Sequence, residues 1–140
     1  MQGSDRIREV TCIRCPMGCV VAVECDGSGG ARYVQGASCV RGQEYAVAEA
    51  TAPERMVATV IDVPGCPEPL SVKTERPIPK HLVQDAVCMA KQAAVALPVR
   101  IGQVIVPNVC GTGVPIVATK NLDQSFASSR AFADATTSEK

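Results

Sequence analysis

The sequence predicts an α+β protein in two modules. The first is an amino-terminal cysteine-rich loop with a β-hairpin, and the second is a carboxy-terminal strand–helix–strand module. Three observations predict this. Cys12, Cys15, Cys19 and Cys39 run in the order C-x2-C-x3-C-x19-C. Short β-branched runs alternate with Gly- and Asp-rich turns, as strands joined by tight connections do. A single apolar stripe between Lys80 and Leu97 keeps i, i+3, i+4, i+7 spacing, the period of an amphipathic helix.

The first module spans residues 1–55. Arg6 to Cys12 alternates weakly and is expected to be a short strand that delivers the first cysteine. Cys19 to Glu24 is β-branched and predicts a strand leaving the loop. Asp26-Gly27-Ser28-Gly29-Gly30 is a turn, and Ala31 to Gly36 is the return strand of a hairpin ending near Cys39. That excursion accounts for the long third spacing. Gly42 to Ala52 is rich in Ala and Glu and predicts a helix stopped by Pro53.

The second module spans residues 56–120. Met56 to Val63 and Leu70 to Thr74 are expected strands, and Arg76-Pro77-Ile78-Pro79-Lys80 must be extended because each proline restrains its predecessor. The helix of Lys80 to Leu97 follows, closed by Pro98. Val99 to Val106 and Val114 to Thr119 are expected strands joined through Gly111-Thr112-Gly113. Residues 121–140 are rich in Ser, Ala, Thr and Asp without a pattern and are expected to be a flexible tail.

The totals exclude several function classes. Fourteen basic and fourteen acidic residues cancel, no basic stripe with aromatics is present, and nucleic acid is not an expected partner. No apolar run approaches the ~20 residues that cross a bilayer. The amino terminus lacks a basic segment followed by an apolar one, so a cytoplasmic location is expected. There, eight cysteines are expected to bind metal rather than pair as disulfides.

Thiolates select iron–sulfur clusters, zinc or Cu(I). Zinc sites usually use two Cys-x2-Cys knuckles. Cys12 and Cys15 fit one knuckle, but Cys39 has no cysteine at that spacing. A [4Fe–4S] cluster takes three thiolates from one winding loop and a distant fourth. Four filled corners imply electron transfer rather than Lewis-acid chemistry. Three readings stay open: a [4Fe–4S] cluster, structural zinc, and redox thiols or disulfides.

Cys12-x2-Cys15-Pro16-x-Gly18-Cys19 followed by Cys39-Val40-Arg41-Gly42 resembles the amino-terminal iron–sulfur segment of molybdopterin oxidoreductases, over residues 10–42. The resemblance implies a [4Fe–4S] cluster on Cys12, Cys15, Cys19 and Cys39, with Arg41 beside it. The rest of such an enzyme is absent, so the pterin is not implied. Together with Val72-Lys73-Thr74, Pro77-Ile78-Pro79-Lys80, Pro98 to Gly102 and Gly111-Thr112-Gly113, the chain is similar to a family of small bacterial proteins of unassigned function. Members are often encoded beside an FAD-dependent glycerol-3-phosphate dehydrogenase-like protein and an FAD/NAD-linked oxidoreductase. That resemblance implies a non-catalytic, electron-carrying subunit passing electrons to or from such a dehydrogenase. The alternative is a non-redox interaction module folded around zinc.

The remaining residues carry bland readings beside sharp ones. Arg41 tunes the cluster or simply starts the helix. Lys73, Arg76, Lys80 and Arg100 form a docking face or a solvated one. Gly111-Thr112-Gly113 lacks the strand–glycine–helix context of a nucleotide site and is expected to be a turn. His81 is not an expected ligand. Cys25 is a spare thiol or replacement ligand, Cys88 a small buried hydrophobe, and Cys66 an exposed loop thiol. Tyr33 and Tyr45 are expected to pack near the cluster.

Overall fold

The computed structural model describes residues 6–123. Most of the expected tail, from residue 124 onward, lies outside the described residues. Mixed helices and strands make the protein α+β. The chain divides after Glu54 into two units.

In the first unit, strands β1 (Arg6–Thr11), β2 (Val20–Cys25) and β3 (Ala31–Gln35) form an antiparallel sheet in the order β1-β2-β3. The hairpin β2–β3 matches the expectation, and Asp26 builds its turn. One carboxylate oxygen, Oδ1, accepts from the Ser28 N–H, the Ser28 hydroxyl and the Gly30 N–H at 2.7–3.0 Å. A second hairpin was not anticipated. Thr11 pairs with Val20, so residues 12–19 form the loop of β1–β2. Helix α1 (Val40–Thr51) packs on all three strands. Side chains alternate along a strand, which turns Val21 and Val23 inward against Ala46 and Ala50. Val10 and Cys12 belong to the same buried cluster. Helix α1 begins two residues earlier than expected because Cys39 caps it.

The two-residue strand β4 (Glu54–Arg55) straddles the boundary between the units and pairs with β7 (Ile78–Pro79). In the second unit, strands β5 (Ala58–Ile61), β6 (Leu70–Thr74), β8 (Val104–Val106) and β9 (Ile116–Ala118) form an antiparallel sheet in the order β5-β6-β9-β8. Helix α2 (Val83–Gln92) buries Ala86 and Ala90 in one core with Leu70, Ile78, Ile116, Leu122 and several valines. Each such large side chain contributes about 1.5–3 kcal/mol by leaving water. Buried Thr74 accepts the Val57 N–H on Oγ1 at 3.1 Å, so no polar atom is stranded there.

Four elements are clearly shorter than expected, one being the strand expected over 114–119, of which only β9 (Ile116–Ala118) forms. Helix α2 stops at Gln92 instead of Leu97, and Ala93 is extended at φ −66°, ψ 128°. Pro98 disfavours helix at its predecessor. The extended path buries Val95 and lets Val99 exchange backbone hydrogen bonds with Leu122 at 2.8 and 2.9 Å. The strand expected over 99–106 is broken by a turn at Ile101–Gly102, because side-chain amides take its backbone bonds. Gln103 Oε1 accepts from the Arg100 N–H and Asn121 Oδ1 from the Ile101 N–H. The strand expected over 56–63 keeps only its middle, β5.

Candidate metal centre

The cysteine loop is held shut at its base by a backbone bond from the Cys12 N–H to the Cys19 carbonyl, 2.8 Å long. Cys12 lies two residues beyond Val10, hence on the same face, and its thiol is buried in the first unit's core. Gly36 brings the chain back to this loop. It has φ +98°, and a Cβ there would collide with the Val20 carbonyl oxygen, so only glycine lets the backbone pass so close. Ser38 and Cys39 follow at once.

Two sulfurs meet at the start of α1. The Gly42 N–H donates to Cys39 Sγ at 3.4 Å, the bond that caps the helix and satisfies one of its free amides. A Cβ on Gly42 would lie 3.4 Å from Cys12 Sγ and 3.7 Å from Cys39 Sγ. Glycine at this position therefore leaves the space both sulfurs face. Cys19 Sγ is 3.3 Å from the hydroxyl of Ser38, the residue before Cys39. Hydrogen bonds from the Ser38 side chain, and then from its backbone, hold the Cys19 thiol below its ordinary pKa. Cys15 is exposed in the bend of the loop. Arg41 is exposed in the first turn of α1.

Among the described residues no group of three or more His, Cys, Asp or Glu side chains is assembled to hold a metal ion. Cys12 and Cys39 share one space, Cys19 is tied to the neighbour of Cys39, and Cys15 is exposed on the loop. The donor chemistry fits a soft centre: four thiols, with no carboxylate in segments 12–20 or 36–42 to favour a hard cation.

Other expected residues fall elsewhere. Cys25 ends β2, and the six residues from Cys19 run along the strand for about 20 Å. Its thiol points at the Ala50 carbonyl, 3.9 Å away, so it is no replacement ligand. Tyr33 is exposed on β3, whereas Tyr45 packs against the first core. Cys88 is exposed on α2, not buried, because Ala86 and Ala90 take the inward face. Cys66 is half-buried against the second core rather than exposed. Cys110 has left-handed backbone (φ 50°), and burial, then nearby Asp85, push its thiol pKa up. Arg100 pairs with Asp123 at 3.1 Å, while Lys73 and Lys80 face solvent. His81 is exposed. The 111–113 segment is a turn, closed by the Gly113 N–H donating to Asn108 Oδ1 at 2.7 Å.

The sequence singles out Gly42 beside Cys39 but reveals neither its contact with Cys12 nor the part played by Gly36. Both glycines were visible, but their spacing could not say which backbone passes a carbonyl and which passes two sulfurs. An open cleft of about 490 Å³ lies between Arg8 to Thr11 and the Tyr45, Glu49, Ala50 side of α1, and contains no candidate ligand. Among the described residues no helix is long and apolar enough to cross a membrane.

Residues 40–120 match the family described as "Protein of unknown function (DUF1667)", and the chain belongs to that family. The match takes in Arg41 and Gly42 but begins one residue after Cys39, so the four cysteines lie outside it. No curated protein and no solved structure matches the chain.

Proposed function

We propose that the protein is an electron-carrier subunit whose first unit binds a [4Fe–4S] cluster through Cys12, Cys15, Cys19 and Cys39. The observation that carries this reading is the shared space of Cys12 Sγ and Cys39 Sγ at Gly42, with Cys19 tied beside them through Ser38. A cluster bound there would accept and return single electrons. The chain's own residues do the rest. The Gly42 amide donates to sulfur and steadies its negative charge. Buried Cys12 anchors one side in the core, and exposed Cys15 is free to close over the other. Arg41, next to the cap, adds a positive charge that favours the reduced, more negative state. With four protein ligands and no acid or base gathered at the site, the role is transfer rather than catalysis. The natural partners are an FAD-dependent dehydrogenase of the glycerol-3-phosphate dehydrogenase type and an FAD/NAD-linked oxidoreductase, in the cytoplasm.

The test is anaerobic purification followed by iron and acid-labile sulfide analysis. A brown protein with equal iron and sulfide is expected, and Cys15→Ser should bleach it or leave a smaller cluster. A second reading draws on the small first core, whose hydrophobic cluster holds six buried residues among the described ones. Such a core is the kind a structural zinc ion stabilises, leaving an interaction module without redox chemistry. Stoichiometric zinc in colourless protein would establish that reading instead.

A further inference from the structure

We infer that Cys12 and Cys39 close into a reversible disulfide when no metal occupies the site. Both sulfurs face the point that a Cβ on Gly42 would take, Cys12 Sγ at 3.4 Å and Cys39 Sγ at 3.7 Å, and glycine puts no side chain there. They reach it from separate segments, Cys12 from the end of β1 and Cys39 from the start of α1. The Cys12 N–H fixes the first on the Cys19 carbonyl, and the Gly42 N–H fixes the second by donating to its sulfur. Thiols turned to one point have only a few ångströms to travel before they can bond. The neighbouring thiols are engaged elsewhere. Cys19 lies across the hairpin from Cys12, but its sulfur sits on the Ser38 hydroxyl at 3.3 Å. Cys25 points at the Ala50 carbonyl.

Burial divides the labour between the two. Cys39 is exposed, whereas Cys12 is only 4% exposed. A dissolved disulfide such as oxidised glutathione therefore meets Cys39 first. The Cys39 thiolate attacks one of its sulfurs, making a mixed disulfide and releasing one glutathione. The Cys12 thiolate then attacks the Cys39 sulfur from inside the protein and releases the second. Two protein thiols are oxidised, one glutathione disulfide is reduced to two thiols, and the protein's two thiol protons pass to them. Cys12 never has to meet solvent. In a reducing compartment a bond of this kind is transient and redox-sensing rather than structural. It also takes two of the four donors, so the oxidised protein must be reduced before metal can be loaded. That consequence rests on the proposed metal centre, while the disulfide rests only on the placement of the two sulfurs.

The experiment incubates the reduced, metal-free full chain with oxidised glutathione, alkylates the remaining thiols and maps the tryptic peptides. Trypsin places Cys12 alone in residues 9–14 and Cys39 alone in residues 33–41, with Cys15, Cys19 and Cys25 together in 15–32. Wild-type protein should yield 9–14 joined to 33–41, and dithiothreitol should separate them. Cys39→Ser should abolish the joined peptide, Cys12→Ser should trap glutathione on Cys39, and Cys25→Ser should leave the joined peptide in place. Residues 9–14 joined instead to 15–32, glutathione persisting on Cys39 of the wild type, or both cysteines recovered as alkylated thiols would each overturn the inference. The joined peptide in a protein whose reduced form takes up neither iron nor zinc would support the disulfide while sinking the proposed metal centre.

Discussion

The two units bury themselves by different means. Among the described residues, the second gathers a cluster of fifteen buried side chains around Leu70, Ile78, Ile116 and Leu122. The first gathers six, none larger than valine, and one of the six is Cys12. Small domains rarely reach adequate stability from burial alone. The comparison teaches that the first unit puts a candidate ligand where a larger hydrophobe would otherwise stand. Its fold and its site are then the same structure, whereas the second unit is held by ordinary aliphatic packing.

Removal of the proposed metal centre would test this difference most sharply. In the holo-protein, chelation or Cys39→Ser should cost the first unit on the order of 10 kcal/mol, the scale of a structural metal in a small domain. Amide exchange should accelerate across β1, β2 and β3 and leave β6 and β9 protected. Equal loss in both units would contradict the comparison.

The complementary change is Leu70→Ala, which empties part of the second core. It should cost about 2–5 kcal/mol in denaturant unfolding without altering metal content. Next in size is Gly42→Ala, where two effects oppose each other. Alanine favours the helix by about 1 kcal/mol, yet its methyl group would touch both sulfurs, 3.4 Å from Cys12 Sγ and 3.7 Å from Cys39 Sγ, and take room a metal would need. Metal content should fall while the helical circular-dichroism signal of the metal-free protein persists or rises. Unchanged metal content would show that the centre does not use that space.

The smallest effect concerns the hairpin turn. Bonds from Ser28, and then from the Gly30 N–H, hold the Asp26 carboxyl below the usual carboxylate range. A group depressed in the folded state stabilises above its unfolded pKa, and the gain is lost as pH falls through the lowered value. Amide protection at the β2–β3 turn, taken relative to the intrinsic exchange rate, should therefore fall in acid before that of the second unit, and Asp26→Asn should abolish that pH dependence.

Legibility in the sequence followed how local each determinant was. The β2–β3 hairpin was readable because β-branched runs and an Asp-Gly turn act within a dozen residues. Leu70–Thr74 was readable for the same reason. The early stop of α2 was not, since the apolar period continues through Leu97, Pro98 restrains only its predecessor, and the pairing of Val99 with distant Leu122 draws the chain out. The start of α1 was missed because cysteine is not among the usual helix-capping residues. At the site, residue types and order pointed to soft-metal chemistry. The loop's role as a hairpin, however, depended on the register of Thr11 with Val20, which no spacing encodes.

Helix α1 is fastened at both extremities: Cys39 Sγ receives an amide at its start, and near its far end the Ala50 carbonyl accepts from Arg8 Nη1 at 2.7 Å. A rod pinned twice cannot slide or tilt on the strands beneath it without breaking one pin. Any change in what the Cys39 sulfur binds is thus mechanically felt about three turns away, where Arg8 borders an open cleft that no cysteine reaches.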